Sequence, residues 1–369
     1  MKNARIVIVT GNPPEMTCGV AHTTAKLVEE LRRQRPQWDF LWQCRRARWF
    51  HSPFSMVGGT KTIRPNHTWD RFGTWLATTT SRAAKPDVLH IQEAIHSYHE
   101  TGAAATMADA ASCPVVTTLH EFHTELGSVD HTIDLVNNST AIIANDARAA
   151  SRCRTNTGKV PDLMGWSPTT ITPSATYERN PVPGFMTTFG IMSDLKLMEL
   201  AYDAISLLGP ADRGLRWCIV GPFNPGSNPY HRRLQEKFDP SWVTFAGQLI
   251  AGTDDVELEA IFRKTAVMLL PYADGPSTRR TTLQAAWAFG IPVITTPPPE
   301  GENAIINDVN CIVVAPDSVQ SWADAIARVL DSPALSARLT SEGLRTANDF
   351  SSRHLAELHL ELYDRVIGL

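Results

Sequence analysis

The sequence predicts an α/β protein with two doubly wound parallel sheets, and three observations lead to that expectation. At 369 residues the chain is too long for one ordinary core and suits two domains. Short β-rich runs alternate with helical stretches in both halves, as in parallel sheets with crossover helices. Between the halves, residues 171–184 carry three prolines and no periodicity, which is typical of a linker.

The first half contains β-rich runs and one clear crossover helix. In that helix Val20, Thr24, Leu27 and Leu31 fall at helical spacing, with charged residues on the opposite face. The β-rich runs are residues 5–9, 40–43, 88–91, 115–119 and 141–144. We therefore expect a Rossmann-like N-terminal domain over residues 1–178, and we assign acceptor binding to it.

The second half repeats the alternation, with a helix expected over residues 194–208. Its β-rich runs are residues 185–189, 217–220, 243–246, 267–270, 292–295 and 312–314. We expect a second Rossmann-like domain over residues 179–348. Residues 349–369 follow as a last helix, whose apolar stripe should cross back and pack on the N-terminal domain. That stripe consists of Leu355, Leu358, Leu362 and Val366.

Composition excludes several classes of protein. A formal net charge of -4 argues against a nucleic-acid-binding surface. No apolar run approaches the length of a membrane span, and the apolar stretch after the basic N-terminus is too short for a signal peptide, so we expect a cytoplasmic protein. Six cysteines without a C-x-x-C pair indicate neither a disulfide framework nor a zinc site.

One basic cluster is compatible with binding to an acidic acceptor or to a membrane surface. Arg45, Arg46 and Arg48 precede Trp49 and Phe50, and such a cluster suits an acidic acceptor or the inner face of a membrane. A merely solvated loop is the alternative.

The strongest chemical signal lies in residues 269–282, where a strand ends in a turn before a helix. Arginine supplies fixed forks of donors, and hydroxyls with free backbone N–H groups supply the rest, so such a loop suits a diphosphate. Pairing of the arginines with surface carboxylates is the alternative. We interpret five of its residues as ligands of a nucleotide-diphosphate donor: Ser277, Arg279, Arg280, Thr281 and Thr282.

Other loops after strands supply further donor-site candidates. Lys196, six residues after Gly190, reaches the same phosphates as a point charge. After the next two strands, Gly221 and the pair Gln248 and Leu249 would line the nucleoside. In the first half, Gly19 opens the crossover helix and either admits a phosphate to the backbone or simply forms the turn. The full G-x-G-x-x-G fingerprint is absent, which does not support a nicotinamide enzyme.

Polar residues end two strands of the first half. Histidine in such a position donates to a substrate oxygen or accepts a proton near neutral pH, although a structural role is the common alternative. We take His120 as a catalytic candidate, together with Lys196 and Arg280. Acceptor binding is assigned to His90, Glu93 and Glu121. A metal site is the less favoured interpretation, so no metal ligand is assigned.

Several segments follow the order of motifs in one known family. In the first half these are DVLHIQ (87–92) and TTLHE (117–121); in the second, FGIMSDLK (189–196), CIVGP (218–222), VTFAGQL (243–249), VMLLPY (267–272) and AFGIPVITT (288–296). With the last helix, this order resembles the retaining glycosyltransferases of family 4. The resemblance implies the GT-B fold, in which two Rossmann-like domains face a cleft and a C-terminal helix crosses back to the first.

The chain departs from the family at three positions. Ile191 stands where the family usually has a phosphate-binding arginine, and Ser277 and Ala285 stand where it usually has two glutamates. Asp274 replaces the first glutamate only if the loop carries a three-residue insertion. The DG-x-S-x-RR loop is similar to a subgroup of the family, with Arg279 and Arg280 replacing the missing arginine.

The resemblance implies a hexosyl or other glycosyltransferase. It would move a sugar from a nucleotide-diphosphate sugar to a hydroxyl of a glycan, glycolipid or small metabolite, with retention of configuration. His120 would contact the transferred sugar or the acceptor. No metal or other cofactor is implied, because protein cations and helix N-termini neutralise the leaving diphosphate. A nucleotide-sugar epimerase of the same fold and a non-catalytic GT-B binding protein are the alternatives; the oligomeric state is left open.

Overall fold

The chain forms two compact units in a computed structural model. It describes residues 3–12, 18–44, 54–57, 60–63, 85–94, 98, 102–124, 129–169, 171–249 and 254–368. The first unit comprises Met1–Pro168 with Ser351–Leu369, and the second comprises Thr169–Phe350. The basic cluster at Arg45, Arg46 and Arg48 lies outside the described residues.

The first unit is built on a sheet that, in its described residues, has the order β3-β4-β2-β1-β5-β6-β7-β8. The strands are β1 (Arg5–Thr10), β2 (Asp39–Cys44), β3 (Phe54–Val57), β4 (Thr60–Ile63), β5 (Val88–Glu93), β6 (Val115–Leu119), β7 (Ala141–Ala144) and β8 (Leu163–Met164). The central strands are nearly continuous in apolar residues because helices cover both faces of a parallel sheet. Before the C-terminal helix, its described helices are α1 (Gly19–Gln34), α2 (Ala103–Asp109), α3 (Val129–Asn137) and α4 (Ala147–Thr157).

A hairpin at the sheet edge was not predicted. Strand β3 pairs antiparallel to β4, whereas β4 pairs parallel to β2. The sequence signal was present, because two glycines at 58 and 59 separate the two short runs, and Gly-Gly is a common hairpin connection.

The second unit has, in its described residues, a parallel sheet in the order β11-β10-β9-β12-β13-β14. The strands are β9 (Phe185–Phe189), β10 (Arg216–Val220), β11 (Val243–Gly247), β12 (Val267–Leu270), β13 (Val293–Thr295) and β14 (Ile312–Val313). The helices are α5 (Met198–Leu207), α6 (Pro229–Lys237), α7 (Asp255–Lys264), α8 (Thr281–Ala288), α9 (Val319–Asp331) and α10 (Pro333–Asp349). The loops after β9, β10, β11 and β12 carry the donor-site candidates, as expected for a parallel sheet.

The proline-rich residues 171–184 belong to the second unit. Ile171 is buried in its core. The backbone N–H groups of Asn180 and Val182 donate to the carbonyls of Arg263 and Lys264, at the end of α7. These long-range bonds satisfy the backbone of the segment without any periodic pattern in its side chains.

The C-terminal helix α11 (Ser352–Val366) belongs to the first unit and packs on α1, which confirms the predicted return of the chain. The Ser351 side chain accepts a hydrogen bond from the backbone N–H of His354 and so caps the helix. Its buried face includes Leu355, Leu362 and Tyr363. Among the described helices, none has both the length and the apolar character needed to cross a membrane.

Candidate functional site

Lys196 is held by β-type pairing and not by a helix. It forms an isolated antiparallel bridge with Tyr272, and the backbone N–H of Leu197 donates to the carbonyl of Pro271. Helix α5 therefore begins at Met198, later than the predicted residue 194. The Lys196 side chain is 7% exposed, and its Nζ donates to the Phe189 carbonyl at 2.8 Å. The bridge thus brings the loops after β9 and β12 together.

Gly190 lies against Lys196 and the first turn of α8. A Cβ added at Gly190, where φ is +115°, would lie 2.8 Å from Lys196 Nζ and 2.7 Å from Thr282 Cγ2. Only a glycine leaves room for this approach. The structure therefore brings together three predicted donor-site residues, Gly190, Lys196 and Thr282.

A glycine is also required at position 221, because the backbone of Gly190 lies close to it. A Cβ at this position would lie 2.0 Å from the carbonyl oxygen of Gly190. The backbone N–H of Gly221 donates to the Gly247 carbonyl at 2.8 Å, which joins the ends of β10 and β11. Gln248 follows as an exposed residue, and the half-buried Leu249 packs against the core.

Arg280 is the residue that precedes α8, and it forms an ion pair with Asp274. One of its terminal nitrogens, Nη2, donates to Asp274 Oδ1 at 2.6 Å and to Oδ2 at 2.5 Å. Arg279 Nη2 lies 3.9 Å from the same carboxylate. The Nε of Arg280 is buried and has no hydrogen-bond partner among the described residues. The alternative considered from the sequence, pairing of the arginines with a carboxylate, is thus present for Arg280, and its partner Asp274 belongs to the same loop.

The ring of Tyr272 connects the two basic side chains. Lys196 Nζ lies 5.7 Å from the ring centroid, and Arg280 Cζ lies 4.7 Å from it. The Tyr272 hydroxyl is 2.6 Å from Thr282 Oγ1. Burial, and next the positive charge of Arg280, lower the pKa of Lys196 to about 7. Two cations share this site, and a bound anion would stabilise both.

Glu302 is a carboxylate that contacts the loop of residues 269–282 from a later segment, and sequence reasoning missed it. Its Oε2 accepts hydrogen bonds from the backbone N–H of Thr278 at 3.1 Å and from Thr278 Oγ1 at 3.3 Å. Glu302 is 8% exposed, and Ser277 and Thr278 beside it are also buried. The Gln284 side chain donates to the Thr278 carbonyl. These contacts fix the backbone of the loop immediately before the two arginines.

The three positions at which the sequence departs from the family 4 pattern differ in burial. Ile191 is 67% exposed, and Ala285 is fully buried in the apolar core of the second unit. Ser277 is buried, and its carbonyl accepts from the backbone N–H of Arg280. Thr281, in the first turn of α8, is half-buried.

His120 lies at the end of β6 in the first unit and is hydrogen-bonded through both ring nitrogens. Nε2 is 2.7 Å from Gln92 Oε1, and Nδ1 is 2.9 Å from Asn145 Nδ2. Its backbone N–H donates to the Glu93 carbonyl. The residue is 7% exposed, so the ring is held in one orientation.

His90 is completely buried and supports this group. Its Nδ1 lies 2.5 Å from the Tyr363 hydroxyl, and its Nε2 lies 2.7 Å from Thr118 Oγ1 and 3.1 Å from Gln92 Nε2. Burial, and next the nearby His359 and His120, hold the pKa of His90 well below its usual value. In this structure His90 contacts protein groups through both nitrogens.

The other first-unit candidates differ in exposure. Glu93 is buried, its Oε2 has no hydrogen-bond partner in the part of the chain that the structure describes, and burial raises its pKa to about 8. Glu121 is partly exposed and lies 2.6 Å from His123. Gly19 is exposed at the first residue of α1, with open space around its Cα. No three His, Cys, Asp or Glu side chains of the described residues form a group that could hold a metal ion.

Part of the second unit matches a known family. Residues 184–332 match the model of Glycosyl transferases group 1. This range contains every second-unit candidate described above. No curated protein matches the chain in sequence.

Solved structures resemble the whole chain. Sucrose-phosphate synthase from Thermosynechococcus elongatus superposes with a TM-score of 0.76 at 15% identity, covering 99% of both chains. Anabaena HepE in complex with UDP and glucose gives 0.74 at 14% identity, covering 98% of this chain and 100% of that one. The chain has the GT-B fold. A glycosyltransferase from Rickettsia africae gives 0.72 at 14% identity, covering 100% and 99%.

In a GT-B protein each half is a Rossmann-like unit, and both units here have that architecture. The fold confirms the predicted class, including the C-terminal helix that returns to the first unit. A fold of this kind does not by itself determine an activity.

Proposed function

We propose that this GT-B protein is a glycosyltransferase that moves a sugar from a nucleotide-diphosphate sugar to an acceptor hydroxyl. The second unit would bind the donor, and the first would bind the acceptor. The transferred sugar would keep its anomeric configuration, as the resemblance to family 4 implies.

One observation carries the proposal: Lys196 and Arg280 converge on Tyr272 beside Gly190 and Thr282. Asp274 already compensates the charge of Arg280, whereas burial and Arg280 lower the pKa of Lys196 to about 7, so a bound anion would stabilise the charged form of Lys196. A diphosphate supplies several charged oxygens and suits a site that combines a point charge with a guanidinium fork. The match of residues 184–332 to a glycosyltransferase family supports the same ligand class.

The proposed roles of the donor-site residues follow from the negative charge that develops on the leaving group. As the bond between sugar and diphosphate breaks, negative charge grows on the departing phosphate oxygens. Lys196, Arg280 and the N-terminus of α8 are the groups that stabilise this charge, and in the proposed mechanism they do so without a bound metal. The acceptor hydroxyl would attack from the same face, and its proton would pass to the departing phosphate.

The first unit offers the acceptor side. His120 and Glu93 lie at the ends of adjacent strands, joined by the bond from the His120 backbone N–H to the Glu93 carbonyl. His120 would contact the transferred sugar or the acceptor. The partly exposed Glu121 would accept a hydrogen bond from an acceptor hydroxyl.

The test begins with the nucleotide. UDP, GDP, ADP and TDP and their sugars are screened by thermal shift, because a ligand that binds the native state raises its stability, and more so the tighter it binds. The stabilising sugar nucleotide is then incubated with pools of glycan, glycolipid and small-molecule acceptors, with and without EDTA. We expect a glycosylated product in both conditions, with the α or β configuration of the donor retained by NMR.

The alternatives give different results. An epimerised sugar nucleotide in the absence of any acceptor indicates an epimerase. Stabilisation by a nucleotide without turnover on any acceptor pool indicates a binding protein. Turnover that EDTA abolishes and a divalent ion restores contradicts the metal-free mechanism.

A further inference from the structure

A negative charge lies among the cations of the loop of residues 269–282. The Asp274 carboxylate accepts hydrogen bonds from Arg280 Nη2 through both of its oxygens, and Arg279 Nη2 lies 3.9 Å from it. The side chains of Asp274 and Arg280 are 20% and 23% exposed, so solvent screens this charge only in part. An anionic ligand that reaches Arg280 therefore also meets a carboxylate.

Arg280 can hold a second anion while it remains paired with Asp274. Both hydrogen bonds to the carboxylate use Nη2, and Nη1 has no hydrogen-bond partner among the described residues. Unlike the buried Nε, Nη1 belongs to the partly exposed end of the side chain. Because the planar guanidinium directs donors from both terminal nitrogens, a phosphate oxygen on Nη1 would lie beside Asp274 without displacing it.

The donor and the product of the proposed reaction differ in charge at the phosphate that the mechanism assigns to Arg280. In the sugar nucleotide this phosphate is esterified by the sugar and carries one negative charge. Once the sugar has left, the phosphate has a second ionisable oxygen with a pKa of about 6, so at pH 8 it carries nearly two charges. The repulsion from a neighbouring carboxylate grows with that charge, so the product is repelled about twice as strongly as the donor.

We propose that Asp274 is a specificity-determining residue that disfavours the free nucleoside diphosphate relative to its sugar ester and so promotes product release. The inference rests on the proposed function, because it takes the phosphate held by Arg280 to be the one that carries the sugar. Lys196 and Arg279 attract both nucleotides, and Asp274 limits the additional attraction that the second charge of the product gains.

Asp274 also holds Arg280 in place, and the two roles can be separated. Loss of this support weakens the binding of the sugar nucleotide and of the free diphosphate alike. Loss of the repulsion strengthens the binding of the diphosphate more than that of the sugar nucleotide. The ratio of the two affinities therefore measures the effect of the charge and is insensitive to a purely structural role of Asp274.

The test is titration calorimetry at pH 8 with the pair that thermal shift selects from UDP, GDP, ADP and TDP and their sugars. In Asp274→Asn, which keeps the shape of the side chain and removes its charge, we expect the affinity ratio to shift about tenfold in favour of the diphosphate. Asp274→Glu keeps the charge and should keep the ratio of the unmodified protein. Asp212→Asn is the matched control, because it removes an exposed charge from the loop before β10, at the opposite edge of the sheet.

Product inhibition provides the second readout. In Asp274→Asn the inhibition constant of the nucleoside diphosphate should fall about tenfold relative to the KM of the sugar nucleotide, since the product then leaves the site less readily. Asp212→Asn should leave this quotient unchanged. A quotient that is also unchanged in Asp274→Asn would contradict a role in product release.

The outcomes separate the inference from the proposed function. An unchanged affinity ratio in a folded Asp274→Asn, or an equal shift in Asp274→Glu, overturns the inference. If Asp274→Asn does not fold, Asp274→Ala removes the same charge, and loss of folding in both variants assigns Asp274 to the stability of the loop and also overturns it. Binding of both nucleotides without turnover in the unmodified protein contradicts the proposed function, while the ratio still decides the role of Asp274. Failure of every nucleotide to bind contradicts both.

Discussion

Lys196 and Arg280 lie at the same aromatic ring, with Lys196 Nζ 5.7 Å and Arg280 Cζ 4.7 Å from the Tyr272 centroid. Lys196 and Arg280 are far apart in the sequence, and the backbone bridge between Lys196 and Tyr272 brings them to the same ring. Asp274 neutralises Arg280, whereas the Lys196 amine contacts two neutral groups, the Phe189 carbonyl and the aromatic ring.

The first prediction concerns the two charges. Lys196→Met and Arg280→Ala should each weaken binding of the stabilising nucleotide diphosphate by about tenfold to a hundredfold, since a hydrogen bond to a charged group contributes about 1.5–3 kcal/mol. Titration calorimetry measures the affinity. Lys264→Met, an exposed lysine of the same unit, is the matched control. Unchanged affinity in both variants would remove the donor site from these residues.

The second prediction is a pH dependence of nucleotide binding. The pKa of Lys196 is about 7 in the free protein, so the amine is largely neutral at pH 8.5. A bound diphosphate raises that pKa, so binding should take up a proton and weaken as the pH rises from 7 to 9. The phosphate itself is already largely ionised in this range, since its second pKa is about 6. Calorimetry in buffers of different ionisation enthalpy measures the proton count; Lys196→Met should abolish the uptake, and equal uptake in that variant would contradict the assignment.

The third prediction concerns Gly190. Gly190→Ala places a methyl group within 3 Å of Lys196 Nζ and Thr282 Cγ2, which forces the amine away from the site. Nucleotide affinity should fall at least as far as in Lys196→Met. Gly214→Ala is the matched control, because Gly214 also has positive φ but has open space around it. Equal losses in the two variants would show that backbone strain, and not displacement of Lys196, is responsible.

The fourth prediction concerns Glu302. Glu302→Ala leaves the Thr278 N–H without its carboxylate acceptor, at a cost of about 1–3 kcal/mol, and loosens the loop before Arg279. We expect a lower melting temperature and weaker nucleotide binding. Glu300→Ala, an exposed glutamate two residues earlier, should change neither. A variant that loses stability but binds the nucleotide normally would limit Glu302 to a structural role.

The fifth prediction concerns the stability of the first unit. Burial raises the Glu93 pKa from an unfolded value of 4.5 to about 8, so the folded unit binds more protons than the unfolded chain between these values. The contribution of Glu93 to stability is therefore complete below pH 4.5 and is lost as the pH rises through 8. Relative to the unmodified protein, Glu93→Gln should gain stability as the pH rises from 5 to 8.

Urea unfolding at a series of pH values measures this difference. Glu29→Gln, at an exposed position on α1, should show no such trend. Parallel curves for Glu93→Gln and the unmodified protein would mean that Glu93 is already ionised in the fold.

The sequence was sufficient for the features that depend on local patterns. Buried parallel strands leave nearly continuous apolar runs, as in Ile6 to Val9, and their positions were therefore predicted closely. Gly190 and Lys196 were assigned to one site from their spacing and resemblance, and the structure places them in contact.

Features that depend on distant partners escaped prediction. The start of α5 is set by pairing with Tyr272, and no residue near 194 signals it. Glu302 is 24 residues from Thr278, and nothing in the intervening sequence indicates their hydrogen bond. The hydrogen bonds of both His120 ring nitrogens likewise depend on distant residues, Gln92 in β5 and Asn145 directly after β7.

The return of α11 to the first unit has a consequence for biosynthesis. Ribosomes deliver every residue of the second unit before they deliver Ser351–Leu369, so the second unit can fold while the first still lacks a helix. Until that helix arrives, the face of α1 that it covers stays open to solvent and to other chains. Truncation near residue 350 would leave a newly made protein with one finished half and one half prone to aggregation, even though every donor-site residue had been translated.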